Sequence, residues 1–248
     1  MNSFPQNPVF IHLDVVDSTN NYAANLLKQT KVVNGTVIMT KRQEKGKGQR
    51  GTTWQSEPDK NLICSVILDL NWQVQDVFDL NMITALALSD VLKDEGIKDV
   101  KVKWPNDVYA NGKKIAGILI ETQLSGQMIK SAILGIGLNV NQENFYGSFD
   151  ATSVTLEKNL TYDVNLLAKT CWLKLVNRLS AYKVNGKGWV KATYYDHLMG
   201  FGEISAYRDG DGPFQGRITG IDEAGRLCIE KENGVLKAYQ IKEVKQFV

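Results

Sequence analysis

Between Gln43 and Trp54 the chain reads Gln-Glu-Lys-Gly-Lys-Gly-Gln-Arg-Gly-Thr-Thr-Trp. Gly46, Gly48 and Gly51 permit positive φ and close backbone approach, so successive amide N–H groups can turn toward one anion. Lys45, Lys47 and Arg50 add positive charge. Such a loop suits phosphate. It is not a Walker A loop, because no Gly-Lys-Ser/Thr precedes a helix and the flanks read as strands. A solvated hairpin loop with scattered charges is the plainer alternative. A second chemical segment, Lys103-Trp104-Pro105-Asn106-Asp107, is followed by Lys113-Lys114-Ile115-Ala116-Gly117. Pro105 is expected to hold Trp104 extended and to end a strand, which puts Asn106 and Asp107 in a sharp turn facing a cleft. An amide beside a carboxylate there can read a base edge or orient an incoming amine. Lys114 opens an apolar strand, where an ammonium group near low-dielectric surroundings interacts strongly with a carboxylate or phosphate. Asn-Asp turns and strand-edge lysines also arise for purely structural reasons.

Alternating strands and helices must position these segments. Residues 9–13 read as a strand, and Ser18 stands where an N-cap belongs, ahead of Ala23, Leu26 and Leu27 on one helical face. Asn34-Gly35 turns into a strand over residues 36–40, and the polar, glycine-rich stretch 42–60 follows. The apolar run 62–70 predicts a strand, and residues 76–93 a helix. Residues 100–104, 114–123 and 128–140 predict a three-strand meander with turns at Asn111-Gly112 and Ser125-Gly126. Asp163 is placed to cap a long amphipathic helix, with a shorter helical pattern over residues 189–198. Beyond Gly200 and Gly202, short strands alternate with turn clusters, the pattern of a small β-barrel. The expected division is a domain over 1–198 and a small barrel over 199–248.

Bulk properties narrow the field. At 248 residues the chain can bury a substantial core. A formal charge of +2 is too small for a nucleic-acid binder or a polybasic membrane anchor, so any basic site is local. Cys64, Cys171 and Cys228 are odd in number, widely spaced and without a CxxC pair, which argues against a disulfide framework or a zinc site. Residues 1–8 contain no charged segment leading into an apolar run, and no stretch of about eighteen apolar residues occurs. The expectation is a soluble, cytoplasmic protein with no DNA or membrane partner.

Taken together, the two chemical segments resemble the biotin–protein ligase family. Its glycine-rich loop ending in tryptophan is similar to residues 46–54, its Lys-Trp-Pro-Asn-Asp motif stands intact at residues 103–107, and its Lys-x-Ala-Gly pattern is similar to residues 114–117. Asp17-Ser18-Thr19-Asn20 resembles the family's biotin-contacting segment, and Gly135-Ile136-Gly137-Leu138-Asn139-Val140 its glycine–asparagine strand. The resemblance extends firmly over residues 10–141. It implies an α+β fold with a mixed, largely antiparallel sheet flanked by helices, similar to class II aminoacyl-tRNA synthetases, and a C-terminal barrel of the Src-homology type. It also implies biotin and ATP as substrates, a magnesium ion on the polyphosphate, and a biotin carboxyl carrier domain as acceptor. A homodimer is possible. Some family members carry a winged-helix domain at the front; only eight residues precede the first expected strand, too few for such a unit.

On this resemblance, biotin is held by Ser18, Thr19, Asn20, Gln43, Gly46, Lys47, Lys114 and Gly117, of which Ser18, Thr19 and Gln43 offer the neutral donors and acceptors a ureido ring requires. ATP and the adenylate are expected to contact Gly46, Lys47, Gly48, Gln49, Arg50, Gly51, Trp54, Asn106, Lys114 and Asn139, with Trp54, Asn106 and Asn139 around adenine. Lys114, Lys47 and Asp107 are the expected catalytic residues: Lys114 as the essential cation, Asp107 to orient the acceptor amine and take its proton. No carboxylate cluster identifies metal ligands. Two positions depart from arginine-rich relatives, Gln49 and Thr52, which predicts a less tightly held adenylate. Two rival readings are a lipoate–protein ligase or octanoyltransferase, and a non-catalytic small-molecule or RNA-binding module.

Overall fold

The computed structural model describes residues 4–145 and 150–247. Met1 and Val248, the outer limits of the two expected domains, lie outside them. Along the chain run β1 (Phe10–Val16), α1 (Thr19–Gln29), β2 (Thr36–Gln43), β3 (Leu62–Gln73), α2 (Val77–Asp94), β4 (Val100–Lys103), β5 (Asp107–Ala110), β6 (Lys113–Ser125) and β7 (Met128–Leu138). There follow α3 (Val154–Lys158), α4 (Val164–His197), β8 (Ile204–Asp209), β9 (Gly212–Ile221), β10 (Leu227–Lys231), β11 (Leu236–Tyr239) and β12 (Lys245–Phe247). The first seven strands form one sheet in the order β1-β2-β3-β7-β6-β5-β4. Only β1 and β2 are parallel; the other pairs are antiparallel.

Side-chain alternation assigns the two faces of this sheet. On β3, Leu62, Cys64, Val66, Leu68, Leu70 and Trp72 enter the main core beneath α2 and α4. Ile67 points the other way and meets Ile38, Ile133 and Ala23 under α1. One face is thus closed by two long helices. Among the described residues the one helix on the opposite face is α1, and the remainder stays available for a site.

Two local expectations are corrected. The meander has four strands rather than three, because residues 107–110 form β5; four residues are too short for alternation to stand out in a sequence. Asp107 therefore begins a strand, and the turn holds residues 104–106 with a cis Trp104–Pro105 peptide instead of an extended Trp104. The two helical stretches expected from Asp163 onward are both present within α4 and meet at a break at Gly186, whose φ of 77° and ψ of −174° only glycine adopts readily. Asp163 does cap α4, accepting from the backbone N–H groups of Asn165 and Leu166.

The C-terminal sheet is antiparallel in the order β11-β10-β9-β8-β12. Phe214 stacks between Tyr207 and Tyr239 at centroid distances of 5.6 and 6.1 Å. Asp209, whose side chain is 1% exposed, accepts from Tyr239 at 2.7 Å and pairs with Lys231 and Lys237 at 3.0 and 3.2 Å. Burial raises its pKa, but the hydrogen bonds from Tyr239, Lys231, the Asp211 N–H and Lys237 outweigh burial and hold it below the usual carboxylate range. A depressed folded-state pKa contributes stability that is fully present above the unfolded value, about 3.9, and lost as pH falls through the folded value. Asp209→Asn is expected to destabilise the protein by roughly 2 kcal/mol at neutral pH. In urea unfolding followed from pH 7 to 2, the difference from wild type should stay constant down to about pH 4 and shrink below it.

Candidate active site

The open face of the sheet is built by residues that lack side chains. Alternation puts Gly117 and Leu119 on β6, and Gly135 and Gly137 on β7, on the same face as Ile133, away from the main core. Gly117 and Gly137 are direct partners across the two strands. A Cβ at Gly137 would overlap the Trp54 indole, one at Gly117 would lie 2.9 Å from Trp54 Cζ3, and one at Gly135 would lie 2.5 Å from Asn20 Oδ1. These glycines are therefore the seats of an aromatic ring and an amide.

Lys114 reaches this face through a bulge. Val108 pairs with Ala116 but Tyr109 pairs with Lys114, so Ile115 is an extra residue on β6. In uninterrupted alternation Lys114 would point with Ala116 and Ile118 into the core. The bulge re-aims it. Its Nζ lies 2.6 Å from Asp107 Oδ1 and 5.6 Å from the centre of the Trp54 ring. The two charged side chains are 33% and 22% exposed, so water still reaches the pair.

The start of α1 supplies neutral polar groups. Gln43 Oε1 accepts from the Thr19 N–H at 2.8 Å and from its hydroxyl at 3.2 Å. Ser65 donates to Asn20 Oδ1 at 2.6 Å and its Oγ lies 2.7 Å from Thr19 Oγ1, and Asn20 Nδ2 donates to Glu121 at 2.7 Å. Ser18 is the N-cap of α1, yet its side chain makes no capping hydrogen bond. The glycine loop folds over this region as a tight hairpin. Gly46 O accepts from Trp54 N at 3.0 Å, Gly48 N donates to Thr52 O at 2.7 Å, and residues 49–51 make a 3₁₀ turn with Arg50 at φ 49°. Lys47 Nζ donates to Asn21 Oδ1 at 2.5 Å.

Loop, helix start and sheet enclose a cleft of about 340 Å³. Of the expected site residues, Ser18, Thr19, Asn20, Gln43, Lys47, Gly48, Gln49, Trp54, Asn106, Asp107, Lys114 and Gly117 line it. The others stand apart from that lining. Gly46 is buried in the base of the hairpin, and Gly51 turns it at φ 81°. Arg50 is directed to the C-terminal sheet, donating to Ile241 O at 2.5 Å. Asn139, expected beside adenine, is buried and donates to Thr152 O at 3.0 Å. Asn106 Nδ2 is spent on Ile118 O at 2.6 Å. Trp54 Nε1 and Gln49 Oε1 are buried without a hydrogen-bond partner, a costly state that a bound polar molecule would relieve.

Sequence reasoning missed Ser65, Cys64, Leu119, Ile241 and Lys242. Ser65 was the one polar residue in the apolar stretch 62–68, which was the available signal; the last two come from a distant part of the chain and left none. Cys64 lines the cleft with its thiol pushed up to about 12 by burial, so it is no nucleophile at neutral pH. All three cysteines are free thiols. Among the described residues no group of three or more His, Cys, Asp or Glu side chains could hold a metal, and no helix is long and apolar enough to cross a membrane.

Residues 12–139 match the biotin/lipoate A/B protein ligase family, and the chain belongs to that family. Residues 203–244 match the biotin protein ligase C-terminal domain, which places the chain on the biotin side of it. It is 30% identical over 233 residues to the bifunctional ligase/repressor BirA of Bacillus spizizenii, covering 92% of this chain and 71% of that protein. It is 29% identical to the biotin–[acetyl-CoA-carboxylase] ligase of Mycobacterium tuberculosis, covering 88% of this chain and 83% of that one. Its fold is similar to that of the biotin protein ligase from Aquifex aeolicus in complex with biotin and ATP. There the TM-score is 0.77 and the identity 28%, over 96% of this chain and 98% of the other.

Because Trp54 rests on bare backbone, Gly137→Ala is expected to displace the ring and narrow the cleft at a cost of about 1–3 kcal/mol. Titration calorimetry should register at least a tenfold loss of biotin affinity. Unchanged affinity would mean that the glycine seat does not control the cleft.

Proposed function

We propose that the chain is an ATP-dependent biotin–protein ligase. It activates biotin as biotinyl-5'-AMP and transfers the biotinyl group to a lysine of an acceptor protein. The observation that carries this reading is one cleft in which a cationic glycine loop, the Lys114–Asp107 pair and the neutral Thr19–Gln43 cluster meet, in a chain of the biotin ligase family.

In the first step a carboxylate oxygen of biotin attacks the α-phosphorus of ATP, the bond from that phosphorus to the bridging oxygen breaks, and pyrophosphate leaves with the electron pair. Lys114 and Lys47 neutralise charge on the carboxylate and α-phosphate, and fixed cations in a partly shielded site lower the barrier without rearrangement. Ser18, Thr19 and Gln43 face the ureido ring, and Trp54, seated where the strand glycines leave room, stacks against the adenine. In the second step a neutral acceptor amine attacks the anhydride carbonyl, AMP leaves, and Asp107 takes the amine proton. A magnesium ion, expected by family resemblance, would screen the charge of the polyphosphate; among the described residues no group of three or more His, Cys, Asp or Glu side chains is gathered to hold one.

The acceptor in this reading is a biotin carboxyl carrier domain of a biotin-dependent carboxylase, in a cytoplasmic setting that suits three free thiols. Residues 1–198 act as the catalytic unit and 199–248 as its C-terminal partner; a homodimer is compatible with this. The C-terminal match favours biotin over lipoate or octanoate.

Incubation with ATP and each acid in turn should release pyrophosphate with biotin only; release with lipoate or octanoate and not with biotin would reverse the assignment. Lys114→Met is expected to slow adenylate formation about a hundredfold, a loss of about 2.7 kcal/mol of transition-state stabilisation, as measured in single-turnover assays. Gln49 and Thr52 are neutral, so the loop holds the adenylate loosely. Gln49→Arg should slow adenylate release, and an unaltered off-rate would remove that explanation.

A further inference from the structure

The neutral end of the cleft is the inner part of a longer chain of hydrogen bonds. Glu121, on β6 two residues beyond Leu119, is exposed and stands outside the cleft lining. Its Oε2 accepts from Asn20 Nδ2 at 2.7 Å, and the same nitrogen lies 3.4 Å from Leu119 O. Further in, Asn20 Oδ1 is 2.6 Å from Ser65 Oγ, which is 2.7 Å from Thr19 Oγ1, and Thr19 Oγ1 is 3.2 Å from Gln43 Oε1. Thr19 and Asn20 are 3% exposed and Ser65 is fully buried, so these groups bond to one another.

Counting protons fixes the direction of each bond. A carboxylate and a peptide carbonyl have no proton to give, so the Asn20 amide turns its nitrogen to Glu121 and Leu119 and its oxygen to Ser65. That oxygen has none either, so Ser65 donates to it. Ser65 has then spent its only proton, and the 2.7 Å contact with Thr19 is donated by Thr19. The Thr19 proton lies in that short contact, and its 3.2 Å approach to Gln43 Oε1 is the weaker one. Two residues of the cleft lining thereby keep an acceptor lone pair unspent: Thr19 at Oγ1, and Gln43 at Oε1, which the Thr19 N–H holds at 2.8 Å. A cyclic urea brings two N–H donors to such a pair, and a dithiolane ring brings none.

We propose that Glu121 is a specificity-determining positioning residue for biotin: acting through Asn20 from outside the cleft, its carboxylate sets the direction of the whole chain, so that Thr19 and Gln43 accept from the two ring N–H groups. This deepens the ligase reading and rests on it. Gly135 makes room for the relay, since a Cβ there would lie 2.5 Å from Asn20 Oδ1 and displace the amide. Reversing the outer end reverses every bond behind it. An ammonium group at position 121 would attract the Asn20 oxygen and turn the amide nitrogen to Ser65. The Ser65 proton would then pass to Thr19 and the Thr19 proton to Gln43 Oε1, filling both acceptors.

Glu121→Lys places a donor at the end of the chain, whereas Glu121→Gln keeps an oxygen acceptor there. Glu121→Lys is expected to raise KM for biotin about tenfold, with KM for ATP and kcat at saturating biotin within about twofold of wild type. Glu121→Gln should stay within about threefold of wild type in all three constants. A cyclic carbamate analogue of biotin, with oxygen in place of one ring N–H, reads the direction of the chain by calorimetry. Wild type should bind it about tenfold less tightly than biotin, and Glu121→Lys should bind the two within about threefold of each other, because its acceptors are already filled. A loss of packing would weaken both ligands alike and preserve the wild-type ratio. An unchanged biotin KM in Glu121→Lys, an equal loss in Glu121→Gln, or a carbamate ratio that stays at its wild-type value would overturn the assignment. Position 121 is exposed, so both variants should fold, which thermal unfolding checks. Absence of biotin-dependent pyrophosphate release by the wild-type chain would instead remove the ligase reading itself.

Discussion

The site depends on a strip of absent side chains. Gly117, Gly135 and Gly137 leave the backbone of β6 and β7 uncovered on the face away from α2 and α4, and both Trp54 and Asn20 rest on it. Strand alternation makes this possible, because residues two apart share a face while Ala116, Ile118, Leu134 and Ile136 between them fill the core beneath. The result is a floor that is rigid, being the centre of a seven-stranded sheet, and low enough to admit a ligand between the sheet and the glycine loop. Flexible loops alone would position the same groups far less accurately.

Against that floor the charged groups are few. Lys114 enters by a one-residue bulge and meets Asp107 from the adjacent strand, so the cation and the carboxylate are fixed by backbone pairing instead of by long flexible stems. At the other end of the cleft the Thr19–Gln43–Ser65 hydrogen bonds are all uncharged. Polarity therefore changes along the cleft, from neutral groups suited to a urea-like ring to cations suited to an acyl-phosphate.

The small C-terminal sheet is tied to the rest of the molecule beside the cleft. Trp104, next to the Asn106–Asp107 segment, donates to Gly225 O at 3.0 Å, and Phe78 packs where a Cβ at Gly225 would otherwise sit. Behind it the break at Gly186 sets Lys187 and Lys191 against Glu223, both at 2.8 Å. Those two lysines draw the Glu223 carboxyl down to about 2. These contacts hold the turn at Ile241–Lys242 over the glycine loop, and they make the C-terminal sheet part of the wall of the cleft.

The sequence by itself determined the element types, the mixed sheet and the small C-terminal β unit, because hydrophobic period and turn chemistry are local properties. It also determined most of the cleft, since the glycine loop, Lys-Trp-Pro-Asn-Asp and Lys-x-Ala-Gly are contiguous motifs whose residues travel together. Tertiary structure alone decided the direction of individual side chains. Whether Lys114 faced the core or the cleft turned on one extra residue at Ile115, which local alternation misassigns. Asn139 stood in a matching motif yet is spent on Thr152, and Arg50 stood in the loop yet serves the C-terminal sheet. Ser65 and Lys242 joined the site from strands and turns distant in sequence. Such placements depend on pairing register and on contacts between remote segments, neither of which is encoded within any one window of residues.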